Sequence, residues 1–500
     1  MSLKSIISSS LLYLWSLPKK KLVDIIDDLR TRYVSLEKEN AALKKENAAL
    51  KSAQLSNKVK EVNKTSNQPS SKQAEWELKG VGNDGQGKRK KRGKKARKGS
   101  GNQDKIKDIT KEETASVSVC DICGASLEDT AVLASVNTRI IEDIPEFTKV
   151  TEVIKVTLEK KYCRLCQSVT TARSTKGIPR ADIGLNTTIH LIYFWISMCA
   201  ATTRIAEYMR VFFGQSLSTA GISQHIIGVS KILEPVQEGI LAQLKNSKII
   251  QADETGWRVN GKNWWLWVLG NQKWAYYTID QSRGKDVVRK MLGEFFLGVL
   301  VVDGWKAYLF LECEQQSCMA HLLRKIRKLH KAFPNLRSVF KFYVKFRKIL
   351  RDGERLQSQR EKLGELVFQR RLKKLHIRLD QLLKWSNPND ILKDIIKKVK
   401  NQQPRILTFV EHPNVPCHNN FAEYLIRIGV LKRKVSFGSK SAKGAKAYAT
   451  LLSIYSTCKL QNIPFQDFIR KSLINYIETG TPLLIEQYHI TQKSTSRKAA

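Results

Sequence analysis

The stretch Lys248–Val268, KIIQADETGWRVNGKNWWLWV, sets two adjacent acids, Asp253 and Glu254, at the end of a short apolar run and follows them with four tryptophans in eleven residues. Ile, Val, Thr and Trp suit a pleated, half-buried surface, and Asn260-Gly261 is the dipeptide of a two-residue hairpin turn. SKIIQADET therefore reads as a buried strand ending at Asp253, with TGWRVN and KNWWLWVLG flanking the turn. NQKWAYYTI follows a second turn at Gly270-Asn271, so three antiparallel strands run in succession. Most of the tryptophans read as sheet core.

Downstream, GKDVVRKMLG has the pattern of a short helix, and GVLVVDGW that of a strand buried on both faces and ending at Asp303. Strand, strand, strand, helix, strand is the opening order of a ribonuclease-H-like domain, in which the first and fourth strands lie side by side. Asp253 and Asp303 would then meet at one edge. Two such carboxylates repel unless a cation sits between them, and hard oxygen ligands select magnesium or manganese. A third acid must come from a later helix. HNNFAEYLIRIGVLKRKVSFGS offers Glu423 in a first turn, with Asn419 or Asn420 as N-cap and Arg427 four residues on. Alternation sends Glu254 to the face opposite Asp253, where a change to Gln should be mild.

The whole chain has 500 residues, with 87 Lys plus Arg against 46 Asp plus Glu and a formal net charge of +41. Such an excess points to a polyanionic partner, with nucleic acid the commonest, while 42% hydrophobic content suffices for substantial cores. No apolar run approaches the roughly 20 residues that cross a bilayer, and the start lacks a signal cleavage site, so the expectation is a cytoplasmic protein. Of nine cysteines, Cys120, Cys123, Cys163 and Cys166 form two C-x-x-C pairs around an alternating segment, TKVTEVIKVTLEKKY. Four thiolates satisfy tetrahedral zinc with no open position, which describes a structural site. Cys199, Cys313, Cys318, Cys417 and Cys458 read as small apolar residues.

Leucine recurs every seventh residue at Leu22, Leu29, Leu36, Leu43 and Leu50, with Asn40 and Asn47 at positions that favour a two-stranded parallel zipper. A homodimer through this seam is expected. The chain divides into an N-terminal helix and coiled coil (1–52), a basic disordered linker (53–110), a zinc-binding module (111–175) and a helical segment (176–245). In the last of these a DNA-binding helix-turn-helix is conceivable around Gly214, although a supporting bundle fits the pattern better. Two parts of the core (246–323 and 404–485) flank a basic helical insertion (324–403), before a tail (486–500). Candidate phosphate contacts are Lys88, Arg89, Lys90, Lys91, Arg92, Lys94 and Lys95 in the linker, with His321, Arg324, Arg427, Lys432, Arg433 and Lys434 around the core.

ADETGW, DGWKAY, SCMAHLLRKI, NNFAEYLIR and KRKVSFGSKSAKGAKAYATLLSIYSTCKLQNI, in this order and after a double C-x-x-C module, resemble the IS66 family of DDE transposases. The resemblance runs from the zipper to about Ile469. It implies a multidomain α/β protein with a ribonuclease-H-like catalytic core, preceded by a coiled region and a zinc-binding module. Catalytic and magnesium-binding roles then fall on Asp253, Asp303 and Glu423, with two magnesium or manganese ions and a structural zinc. Element ends and target DNA are the implied substrates, and accessory proteins of the same element are implied partners. Trp305 stands where the family commonly has Tyr. Two further readings differ in chemistry: a catalytically inactive DNA-binding regulator derived from a transposase, and a nuclease that cuts without joining.

Overall fold

The computed structural model describes residues 28, 31–46, 122, 126 and 151–490 except 180 and 387. Leu22, Leu29, Leu50, the basic run from Lys88 to Lys95, Cys120 and Cys123 lie outside the described residues. Residues 31–46 are helical and all solvent-exposed, Leu36 and Leu43 among them. Among the described residues no helix is long and apolar enough to cross a membrane.

Lys160–Cys163 (β1) and Ser168–Thr171 (β2) pair antiparallel, so the second C-x-x-C pair, Cys163 and Cys166, occupies the hairpin end. Four helices follow: Leu185–Ile196 (α1), Thr202–Phe213 (α2), Thr219–Ile232 (α3) and Glu234–Lys245 (α4). Gly214 stops α2 in the left-handed region at φ 66°, and the Ser218 hydroxyl starts α3 by accepting from the Gly221 N–H. Ile192, Ile222, Ile226 and Ile240 bury into the same core as the sheet. The helices thus act as the sheet's support.

Ile249–Val259 (β3), Lys262–Gly270 (β4) and Ala275–Asp280 (β5) run antiparallel in succession. Asn260 and Gly261, at φ 47° and 74°, give the turn that the dipeptide predicts. One boundary differs from expectation, because β3 does not end at Asp253. It continues to Val259, since Trp257 and Val259 find core on the face they share. After Lys285–Leu292 (α5), Phe295–Val302 (β6) pairs parallel to β3, and Glu312–Ser317 (β7) pairs parallel to β6. The sheet order is β5-β4-β3-β6-β7. Only the second half of β6 is fully buried, from Val299 to Val302; Phe295 and Leu297 face solvent.

Met319–Ala332 (α6), Arg337–Ser358 (α7), Glu365–Leu383 (α8) and Asp390–Lys400 (α9) form the insertion, with Thr408–Glu411 (α10) leading back. They pack Phe342, Phe346, Phe368 and Leu392 into a second core that takes Val299 and Val301 from β6. The outer face of α7 carries Lys341, Lys345, Arg347, Lys348, Arg351 and Arg355, all exposed. Asn420–Ser436 (α11), Ala442–Leu460 (α12) and Phe465–Thr479 (α13) complete the first core.

Candidate functional site

The parallel register pairs Ile249 with Val299, Ile250 with Leu300 and Gln251 with Val301. Two further steps along both strands set Asp253 level with Asp303, the first residue past β6. Side chains alternate along a strand, so fixing these carbonyls fixes where both carboxylates point.

A small latch holds the third acid nearby. The Asn419 side-chain Nδ2 donates to the Ala252 carbonyl at 2.7 Å, while its backbone N–H donates to Cys318 Sγ at 3.1 Å. The Cys318 N–H in turn donates to the Val302 carbonyl at 2.7 Å. Ala252 and Val302 immediately precede the two aspartates, and Asn419 opens the turn that carries Glu423. Asn419 stands at the N-cap position read from sequence, but its side chain makes no cap hydrogen bond. It ties α11 to β3 instead.

Burial, then repulsion from Asp303, Glu254 and Glu423, pushes the Asp253 carboxyl well above the usual carboxylate range. Against this it accepts one short-range hydrogen bond, from the Glu254 N–H at 2.9 Å. Among the described residues no lysine or arginine forms an ion pair with Asp253 or Asp303. His321, one turn into α6, brings Nδ1 to 3.5 Å from Glu423 Oε1. Burial depresses its pKa to about 4 against the opposing pull of Asp303, so the imidazole is neutral at neutral pH. Burial also pushes the Cys318 thiol up to about 12, which keeps it protonated as the acceptor for Asn419 rather than a thiolate for metal. Carboxylates are hard oxygen donors of the kind a divalent cation takes, and a cation would relieve the repulsion that Asp253 meets from its neighbours. Among the described residues, however, no group of three or more His, Cys, Asp or Glu side chains is gathered closely enough to hold one as it stands, so binding would draw the carboxylates inward.

Glu254 does turn to the opposite face, but it is not the idle neighbour that alternation alone predicts. Its side chain has no solvent exposure, and Arg283 donates to Oε1 from Nε at 3.0 Å and Nη2 at 2.8 Å. The Tyr308 hydroxyl donates to Oε2 at 3.0 Å. Burial first, and Asp303 second, raise its pKa to about 7, with Arg283 and Tyr308 opposing them. Glu254→Gln would therefore set a neutral amide against the Arg283 guanidinium, a consequence that alternation alone does not anticipate.

The basic candidates divide. Arg427 and Lys434 project from α11 into solvent, whereas His321 and Arg324 are half-buried beside the acids. Lys432 corrects its reading as a DNA contact: it is 3% exposed, and its ammonium donates to the carbonyls of Trp195 at 3.2 Å and Ala200 at 2.7 Å. Arg433 is half-buried and donates to the Gly256 carbonyl, fastening α11 to β3. Sequence reasoning missed Asn419 as a latch and Arg283 altogether. No local signal marks either, since both act across the fold.

Residues 186–447 match the family model described as the Transposase IS66 family. The chain is 23% identical over 337 residues to the uncharacterized protein y4qI of Sinorhizobium fredii (strain NBRC 101917 / NGR234), covering 60% of this chain and 61% of that one. It is 31% identical over 78 residues to the uncharacterized protein y4jO of the same strain, covering 16% and 24%. The chain thus spans about three fifths of the first relative's length and about a quarter of the second's. With more than half of its residues inside the family match, and the acids and latch all within that span, the chain belongs to the IS66 family of transposases.

Proposed function

We propose that the protein is a DDE transposase whose Asp253, Asp303 and Glu423 form the metal-binding catalytic centre for cutting insertion-sequence ends and joining them to target DNA. The observation that carries this reading is that the sheet register and α11 turn Asp253, Asp303 and Glu423 toward one half-buried place in which, among the described residues, no lysine or arginine forms an ion pair with either aspartate. The sheet order, antiparallel through three strands and parallel thereafter, supports a ribonuclease-H-like core. Two magnesium or manganese ions, when bound there, supply Lewis acidity to the attacking and leaving oxygens of an in-line phosphoryl transfer. The protein's own work is positioning: the Asn419 latch sets the acids, and the exposed cations of α7 and α11 neutralise phosphates.

Zinc at Cys120, Cys123, Cys163 and Cys166, a homodimer through the N-terminal seam and accessory proteins of the element belong to the same proposal. The exposed leucines of residues 31–46 favour the dimer. The test is a gel assay on labelled element ends with purified wild type and the variants Asp253→Asn, Asp303→Asn and Glu423→Gln, in magnesium and in calcium. Each amide should retain DNA binding and lose both cleavage and joining. Robust cleavage by Asp253→Asn would reject the mechanism; robust cleavage by Glu423→Gln would reject the third ligand. A regulator without catalysis would show no cleavage in wild type either.

A further inference from the structure

We propose that Glu254, Arg283 and Trp305 form a positioning relay that fixes the Asp303 carboxylate from the far face of the sheet; the inference rests on the metal-site reading of Asp303. The relay is continuous in hydrogen bonds. Glu254 grips the Arg283 guanidinium through two of its nitrogens. That guanidinium lies between two indoles, 4.5 Å from the Trp265 ring centre and 3.9 Å from that of Trp305. Trp305 Nε1 donates to the Arg283 carbonyl at 3.1 Å, and the Trp305 backbone N–H donates to Asp303 Oδ1 at 2.9 Å. Gly304 between them holds φ 86°, a conformation that closes this tight turn and that residues with a Cβ rarely adopt.

Trp305 is the joint that makes the arrangement directional. The residue is 38% exposed, so burial alone does not anchor it. Stacking on Arg283 and the indole hydrogen bond do. Arg283 is itself held by Glu254, whose second oxygen is occupied by the buried Tyr308 hydroxyl. A hydrophobic filler of the same volume would stabilise the fold as well as a buried ion pair, because desolvation offsets most of the pair's attraction. What the pair adds is orientation, since a planar fork between two rings has one position. Asp303 thereby acquires a fixed oxygen while the residue before it, Val302, is fixed by Cys318.

The experiment uses the full-length protein and Mn2+ as the probe. Binding is measured by calorimetric titration without DNA, and end cleavage is measured against Mg2+ concentration, alongside thermal melting and DNA affinity. Arg283→Lys keeps the charge but loses the fork and the flat stack. It should weaken Mn2+ binding by about tenfold and raise the half-saturating Mg2+ to match, with DNA affinity unchanged. Glu254→Gln should do the same, and the double variant Glu254→Gln/Arg283→Lys should be no weaker than the worse single, because the residues act as one unit. Wild-type Mn2+ affinity in Arg283→Lys, or losses that simply add, would overturn the relay. If Glu254→Gln melts too low to assay, Arg283→Lys decides alone. Should Asp303→Asn keep wild-type Mn2+ binding, the metal-site reading falls and takes the relay with it; should Asp303→Asn lose binding while Arg283→Lys keeps it, the relay alone falls.

Discussion

On one face of β3 the Glu254 carboxylate receives three hydrogen bonds, two from Arg283 and one from Tyr308. On the other face, one residue earlier, Asp253 receives one from a backbone N–H and looks toward Asp303 and Glu423. The two acids share a strand and a chemistry. The chain has 87 basic residues, yet among the described residues an arginine or lysine pairs with Glu254 and none with Asp253. Lys325, within the field of Asp303, makes no ion pair with it and is itself driven toward neutrality by burial. The difference separates a carboxylate built into the scaffold by Arg283 and Tyr308 from one whose charged neighbours are other acids.

The contrast can be broken most severely on its compensated side. Glu254→Ala strands the Arg283 charge and the Tyr308 hydroxyl and should cost about 3 kcal/mol of unfolding free energy, near the low end for a broken buried pair because Arg283 keeps some water. Urea unfolding measures it, and a loss under about 1 kcal/mol would mean the box is ornamental to the fold. Next, Mg2+ or Mn2+ at about a hundred times its dissociation constant should stabilise wild type by about 2.7 kcal/mol and leave Asp303→Asn unmoved; equal shifts in both would place the cation elsewhere. Asp253→Asn, in metal-free protein, should have the opposite sign to the Glu254 variant. Removing the crowded carboxylate should raise stability, because burial and the neighbouring acids disfavour its ionised form. A metal-free melt that falls instead would mean Asp253 is compensated after all.

The smallest effect lies away from both faces, in the insertion. His376 Nε2 stands 2.9 Å from Glu411 Oε1, and that hydrogen bond, ahead of the opposing burial, raises the imidazole pKa above 6.5. A raised folded-state pKa stabilises where the unfolded His is already protonated. The contribution is therefore full below about pH 6.5 and fades as pH rises through the folded value. His376→Gln should flatten that slope in melts taken from pH 5.5 to 8.5, and an unchanged slope would assign it to another group.

Much of the sheet could be read from local chemistry. Asn260-Gly261 fixed the hairpin, and the Val299–Val302 run marked a strand that had to sit beside β3. Asp253 and Asp303 followed from those two facts. β7 did not, because ECEQQS has neither alternation nor β-branched residues; β6 recruits it through backbone pairing alone. Glu423 came mainly through family resemblance, since its place depends on Asn419 reaching a strand 167 residues earlier. Lys432 misled for a related reason. A lysine on a basic helix looks solvated until its ammonium meets the carbonyl end of α1, which a one-dimensional pattern cannot display.

The Asn419 latch has a consequence for synthesis. Its partners Ala252 and Cys318 leave the ribosome well before it, and Glu423 trails Asp303 by 120 residues. At about 5–20 residues per second, the nascent chain spends roughly 6 to 24 seconds with both aspartates made and the third acid absent. The sheet's parallel pair can form in that interval, but nothing yet closes over it. The register of the sheet is thus written early in the chain and the latch late: a polypeptide that stops before Asn419 has both strands and lacks the contact that sets Glu423 beside them.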